Sequence, residues 1–490
     1  MCDLLLIHPN DQKAVYGDTL KYVACEPPFW MLLAAEYCRE RDIDVAVIDA
    51  EAENLSFDDV AKKVNTLSPN LVGIFVTGTN LSASTQKMHG ADCTCKIIKR
   101  EADTPTFLWG LHPSALPERT LLESEADFVI KGENFDSIVG LTHYIKGDKH
   151  ITLSSLGGVV YKDAEIISTT GLNVTLSTDK LPMPAWDMVD MKNYAPHNWH
   201  IMGEKNPSSA KGRYGVISSS IGCPFQCSYC AISSQFGVRN LRFWDAKRVV
   251  DQIEYLVKTY NIKYIKILDE CFVLNKDYVN KLCDLLIERN LDINMWGYAR
   301  IDTITPDLMS KLRNAGMRWV AYGIESGDDS VLGNVFKGQY STNKTVEVVK
   351  QTHEHGLYIN ANFMFGLPDD TRETMQKTLD FAKMLNPDWI NFYSTMLYPG
   401  SKDYFDAVNS GNIKNDEWIE YAQYSYECKP AGGKYLSPKE VLEFRDFAFN
   451  DFFKDNDRYF NMIREKFGQQ YVDNIKSMTK NKLRRKLLGD

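Results

Sequence analysis

Residues 222–230 read GCPFQCSYC and set Cys223, Cys227 and Cys230 in a C-x3-C-x2-C spacing, with Tyr229 just before the last sulfur. The preceding YGVISSSIG (214–222) reads as a buried strand running straight into this loop. Three thiolates so close together can hold three irons of a cubane iron–sulfur cluster, since soft thiolates are the usual ligands of such clusters. No fourth cysteine stands nearby, so the fourth iron would be left open to bind a small molecule. A structural zinc site usually takes four protein ligands, and no second C-x2-C pair is present.

Downstream, apolar runs alternate regularly with amphipathic stretches. Strands are expected at 264–270, 293–300, 319–327, 358–368 and 389–400, with helices at 245–260, 277–289, 305–315, 341–355 and 371–384. Six β/α units in a row imply a partial barrel whose active site lies at the carboxyl ends of its strands. Upstream, strands at 3–9, 44–50, 71–78, 104–113 and 126–133 alternate with helices at 29–41 and 57–67. That pattern implies a doubly wound, Rossmann-like sheet, with ligands beyond its carboxyl edge. The expected division is 1–145 for this domain, 146–205 for a hairpin and Pro-rich connector, 206–410 for the barrel and 411–490 for a mainly helical C-terminal region.

The composition is that of a globular α/β protein, 44% hydrophobic and 25% charged. A net charge of −9 argues against general nucleic-acid binding. No apolar run reaches bilayer-spanning length, so no membrane insertion is expected. The start, MCDLLLIHPN, reads as a strand rather than a signal peptide. Eleven cysteines, an odd number in a large chain, suit a reducing cytoplasm better than a disulfide scaffold, and an oxygen-poor one if a cluster is exposed.

The cysteine loop resembles the signature of radical S-adenosylmethionine enzymes. LDE (268–270), YARID around Arg300 and GIESG around Glu325 resemble the strand-end segments of such barrels. The resemblance implies a 4Fe-4S cluster on Cys223, Cys227 and Cys230, with S-adenosylmethionine contacts from Tyr229, Asp269, Glu270, Arg300 and Glu325. Carboxylates can accept from an ammonium or ribose hydroxyl and Arg can clamp a carboxylate; the competing role for these groups is capping or ion pairing at the barrel rim.

The first domain is similar to the cobalamin-binding domain of many such enzymes, through PPFWMLLAAEYCRERDIDVAVID, GLHPSALPE (110–118) and D-x-x-x-x-GE from Asp127 to Glu133. VTGTNLSAS (76–84) stands where that domain keeps a hydroxyl-rich loop. The implied cobalamin contacts are Thr77, Thr79, Asn80, Ser82, Gly110, Leu111, His112, Gly132 and Glu133. The D-x-H-x-x-G motif that supplies an axial histidine in other cobalamin proteins is absent after the first strand.

Taken together, the resemblance implies methylation of an unactivated carbon, or phosphorus, in a small metabolite, by way of a 5′-deoxyadenosyl radical and methylcobalamin. A one-electron donor such as flavodoxin or ferredoxin would serve it. Two alternatives stand beside it: a cobalamin-containing cyclase or rearrangement enzyme, and a non-catalytic cobalamin or redox sensor. The C-terminal stretch WIEYAQYSYECKPAGGKY is expected to cover the barrel mouth, with aromatic residues either lining the pocket or packing the core.

Overall fold

The computed structural model describes residues 2–490 apart from 79, 164–165, 172–176, 237–240, 336, 338–339 and 414–415. Its first sheet contains β1 (Leu4–His8), β2 (Val45–Asp49), β3 (Leu71–Val76), β4 (Thr106–Gly110), β5 (Phe128–Ile130), β6 (Val159–Asp163) and β7 (Ile166–Thr169). The strand order is β2-β1-β3-β4-β5-β6-β7. β1, β3 and β4 are buried along their whole length, as expected of strands covered on both faces. The chain order reverses between β1 and β3, which opens a ligand crevice at their carboxyl ends. The expected hairpin forms as β6 and β7, and it extends this sheet by pairing antiparallel with β5, Val159 opposite Ile130.

The second sheet is parallel throughout: β8 (Tyr214–Ile217), β11 (Tyr264–Ile267), β12 (Asn294–Ala299), β13 (Met317–Glu325), β14 (Tyr358–Phe365) and β15 (Trp389–Ser394), with edges at β8 and β15. It is the expected six-stranded partial barrel. The expected strand 214–222 is broken. β8 stops at Ile217, and a separate β9 (Ser220–Ile221) pairs antiparallel with β10 (Arg242–Phe243). Asp269 causes the break: it accepts Ser219 N–H at 2.6 Å, Ser219 Oγ–H at 2.5 Å and Ser220 Oγ–H at 2.7 Å, so the chain leaves the sheet there.

The outer helices follow local capping rules. Asp245 caps helix Ala246–Tyr260 by accepting from the N–H groups of Lys247 and Arg248, and Asn261 ends it in the left-handed conformation. Helix Pro438–Phe453 packs on β14 and β15, and helix Asp457–Phe467 follows it. Helix Gln469–Met478 packs on the latter and reaches the connector through Tyr471 Oη, which donates to the Ile201 and Glu204 carbonyls. Phe444 meets Phe365 edge-on at 5.1 Å, and Phe467 stacks on Trp319 at 5.9 Å. Glu133 beyond β5 holds Arg242 of β10, and Glu26 reaches Lys266 of β11 at 2.8 Å, so buried ion pairs join the first domain to the barrel. Among the described residues, no helix is long and apolar enough to cross a membrane.

Candidate active site

Side chains alternate across a strand, and in the barrel that alternation points one row per strand inward. Lys266, Leu268 and Glu270 come from β11 and its end; Trp296, Tyr298 and Arg300 from β12; Gly323 and Glu325 from β13; Asn360, Asn362 and Met364 from β14; Trp389, Asn391 and Tyr393 from β15. All line one cavity of about 720 Å³. The three loop cysteines line it too, as do Thr77, Asn80 and Ser82 beyond β3.

Cys223, Cys227 and Cys230 are free thiols, half-buried at the strand tips. Burial pushes Cys223 up to about 12 and Cys230 up to about 11, so a metal has to displace their protons. Among the described residues no three His, Cys, Asp or Glu side chains converge as a lone metal ion requires. All three cysteines line the same cavity. Arg300 Nη1 stands 3.8 Å from Cys227 Sγ, and the guanidinium lies 3.7 Å from the centre of the Phe225 ring. Burial works against the Arg300 charge, but its hydrogen bonds to Asp302 at 2.9 and 2.8 Å outweigh that and hold it protonated.

Glu325 has a left-handed backbone, φ 67°, an uncommon strain for a non-glycine residue that is often stored at working sites. Its carboxylate accepts from Tyr229 Oη at 3.2 Å and Lys337 Nζ at 3.1 Å. Glu270, partly exposed, also faces the cavity and makes no hydrogen bond or ion pair among the described residues. Burial, reinforced by the neighbouring Asp269, pushes its carboxyl up to about 8. Asp269 itself is turned away, 2% exposed and spent on the serines that break β8. Of the five residues expected to meet S-adenosylmethionine, four are gathered here and Asp269 is not.

The cobalamin candidates divide similarly. The Thr77 hydroxyl is buried in the cavity wall without a partner among the described residues, an orphan that a bound group would satisfy. Asn80 and Ser82 stand beside it, and Thr79 lies outside the described residues. Gly110, Leu111, His112, Gly132 and Glu133 lie behind the cavity wall. Gly110 adopts φ 138°, and a Cβ there would collide with the Val76 carbonyl oxygen. Leu111 is fully buried in the core. His112 bonds Thr85 Oγ1 at 3.0 Å and packs edge-on to Trp418 at 4.5 Å; burial and then Arg119 push it down to about 3, so it is neutral. Gly132 accepts Trp109 Nε1–H at 2.8 Å, and Glu133 is paired with Arg242.

From the C-terminal stretch, Gln423 and Tyr424 reach the cavity, whereas Trp418 covers His112 and Arg119. Lys337 and the asparagines of β14 and β15 were not among the expected residues. Their inward parity on the strands was the available signal for the asparagines; Lys337 sits in a loop and offered none.

The chain matches two family models, the Radical SAM superfamily over residues 217–382 and the B12 binding domain over 17–141. It is 29% identical over 424 residues to an uncharacterized methyltransferase of Pyrococcus horikoshii, covering 85% of each chain. It is 27% identical over 433 residues to an anaerobic magnesium-protoporphyrin IX monomethyl ester cyclase of Rubrivivax gelatinosus, covering 86% of this chain and 72% of the relative. Its fold is similar to that of a radical S-adenosylmethionine methyltransferase, TsrM, from Kitasatospora setae, solved with cobalamin and a [4Fe-4S] cluster. The TM-score is 0.69 and the identity 18%, covering 92% of this chain and 88% of that one. The 4Fe-4S cluster, S-adenosylmethionine and cobalamin are the cofactors of these two domains, and the donors that face the cavity fit them.

Proposed function

The chain belongs to the radical S-adenosylmethionine enzymes that carry a B12-binding domain, and on that footing we propose that it methylates an unactivated carbon, or phosphorus, of a small metabolite. One observation carries the proposal: a single cavity takes in both the cysteine loop and the hydroxyl-rich loop beyond β3, with Ser82 Oγ 3.1 Å from Cys230 Sγ. When bound, the cluster with S-adenosylmethionine supplies a carbon-centred radical and cobalamin a transferable methyl group. The likeness to the Pyrococcus methyltransferase supports methyl transfer as the outcome.

The chain's own residues then hold and orient. Cys223, Cys227 and Cys230 ligate the cluster. Glu270, the unsatisfied carboxyl, accepts the cofactor's ammonium. Arg300 meets its carboxylate through the Nη1 edge not committed to Asp302. Glu325, steadied by Tyr229 and Lys337, accepts from the ribose hydroxyls. Thr77 and Asn80 would receive the polar edge of the corrin, with Ser82 beside them turned to the cysteine loop. The aromatic walls from Trp296, Tyr298, Trp389 and Tyr393 exclude water around the reacting carbon. A small one-electron protein donor would supply the cluster's electron.

Anaerobic reconstitution with iron, sulfide, cobalamin and S-adenosylmethionine under reduction tests the proposal. The expected result is 5′-deoxyadenosine together with a product heavier by one CH2. Cys227→Ala should lose the cluster absorbance and both products; undiminished cleavage in that variant would refute the assignment. Ring closure without methyl transfer is the second reading, supported by the likeness to the Rubrivivax cyclase. It requires 5′-deoxyadenosine with no CH2 gained.

A further inference from the structure

Below the strand tips the cavity wall is polar yet balanced in charge. Every cationic side chain that lines it has a carboxylate partner: Lys87 with Asp11 and Glu51, Lys266 with Glu26, Arg300 with Asp302, Lys337 with Glu325, Arg445 with Asp446, and Lys482 with Asp490. An anionic substrate therefore finds no unmatched cation among the described residues. With the free edge of Arg300 given to the cofactor, and apart from the exposed Lys482–Asp490 pair, it would have to break a buried pair, and that is costly.

What the barrel interior does offer is amides. Trp389 Nε1–H donates to Asn391 Oδ1 at 3.1 Å, which fixes the orientation of that amide, because an indole nitrogen can only donate. Asn391 Nδ2 then spends its two hydrogens on Asn360 Oδ1 and Asn362 Oδ1, each at 3.0 Å. Asn362 Nδ2 donates to the Tyr322 carbonyl at 3.1 Å. That leaves Asn360 Nδ2 as the unspent end of the ladder. Asn360 is 4% exposed and lines the cavity, and its Nδ2 has no partner among the described residues. A donor left open on the cavity wall is available to an acceptor of a bound molecule. Trp389 stands opposite Asn360 on the neighbouring strand, and the Trp296 indole lines the same cavity.

We propose that the Asn360–Asn391–Asn362 ladder is the substrate-reading element of the barrel, and that the substrate is an uncharged, planar ring compound presenting a carbonyl or ring-nitrogen acceptor to Asn360 Nδ2. The inference rests on the methylation reading only in taking the barrel interior as the substrate's place.

Three probes of matched shape test it by equilibrium dialysis against the reconstituted holoenzyme: 2-quinolone, neutral with a carbonyl; naphthalene, neutral without one; and 2-naphthoate, an anion. The 2-quinolone should bind about tenfold tighter than naphthalene, the yield of one buried hydrogen bond, and 2-naphthoate should bind weakest. Asn360→Leu should lower 2-quinolone binding to the level of naphthalene and leave naphthalene unchanged. Asn360→Asp, which keeps the volume but removes the donor, should do the same to 2-quinolone. Iron and corrinoid contents equal to the wild type show that each variant is folded. Binding of 2-naphthoate as tight as that of 2-quinolone, or 2-quinolone affinity untouched in both variants, would overturn the proposal. Dialysis needs no turnover, so correct discrimination without any methylated product would sink the methylation reading and leave this one standing.

Discussion

Ser82 Oγ accepts the Ala231 backbone N–H at 3.1 Å and lies 3.1 Å from Cys230 Sγ. A Cys230 thiolate has no proton to give, so once that sulfur ligates a metal the Ser82 hydroxyl is the donor of this contact. The loop that ends the third strand of the first domain thus donates a hydrogen bond into the cysteine loop of the second. Neither domain completes this site alone.

A hydrogen bond to a cluster sulfur favours the reduced, more negative state. Ser82→Ala should therefore lower the cluster's midpoint potential, by roughly 40 mV if the bond contributes about 1 kcal/mol to a one-electron couple. Redox titration followed by electron paramagnetic resonance reads it. Iron content should be unchanged, and a potential equal to or above that of the wild type would contradict the contact.

Glu270 carries the clearest pH signature. Its carboxyl is raised to about 8, first by burial and then by Asp269. A raised acid binds its proton more tightly when folded, so the stability it contributes is present at acid pH and is lost as pH climbs from the usual carboxylate range through about 8. Glu270→Gln, which stays neutral, should be more stable than the cofactor-free wild type at pH 9, by on the order of 3 kcal/mol, and equal to it at pH 4. A cofactor ammonium seated on Glu270 would ionise it. Binding of S-adenosylmethionine at pH 7 should then release close to one proton, measured by calorimetry in buffers of different ionisation enthalpy. Binding without proton release would remove Glu270 from the cofactor site.

Gly110→Ala should damage the fold rather than the corrinoid affinity of whatever protein remains folded. The residue sits at φ 138° with the Val76 carbonyl where a Cβ would go, so the methyl forces β3 and β4 apart. A loss of about 3 kcal/mol or more is expected from combined backbone strain and overpacking. Thermal unfolding and corrinoid content per folded molecule separate the two effects.

Both sheets were legible in the sequence because their strands are buried runs bounded by turn residues, a pattern that survives without tertiary knowledge. The cysteine loop was legible because three thiols within eight residues have few bland explanations. Which strand-end residue faces the cavity was less so. Asp269 and Glu270 are adjacent and chemically alike, yet parity turns one toward three serines and the other into the cavity. A shift of one residue in strand register exchanges their roles. The segment around Gly110, His112, Gly132 and Glu133 was legible as belonging to the domain but not as lying behind its wall, since glycines needed for close strand packing and glycines needed to admit a ligand look the same in one dimension. Lys337 was invisible: its function depends on Glu325, twelve residues earlier, and on the Tyr229 hydroxyl, neither of which leaves a local pattern.

That lysine carries the last expectation. Lys337 and Glu325 form a buried pair at 3.1 Å, about nine-tenths removed from solvent on both sides. Glu325→Gln keeps an acceptor for Tyr229 but leaves Lys337 as a buried cation without its counter-charge, which should cost about 3 kcal/mol or more. Replacing both partners removes the stranded charge, so Glu325→Gln with Lys337→Met should recover at least half of that loss. Recovery of stability should not bring back affinity for S-adenosylmethionine, because the charged acceptor proposed for the ribose hydroxyls is gone in the single and the double variant alike. Thermal unfolding reads the first quantity and equilibrium binding the second. Were affinity to return along with stability, Glu325 would be a structural partner of Lys337 and not a contact of the cofactor.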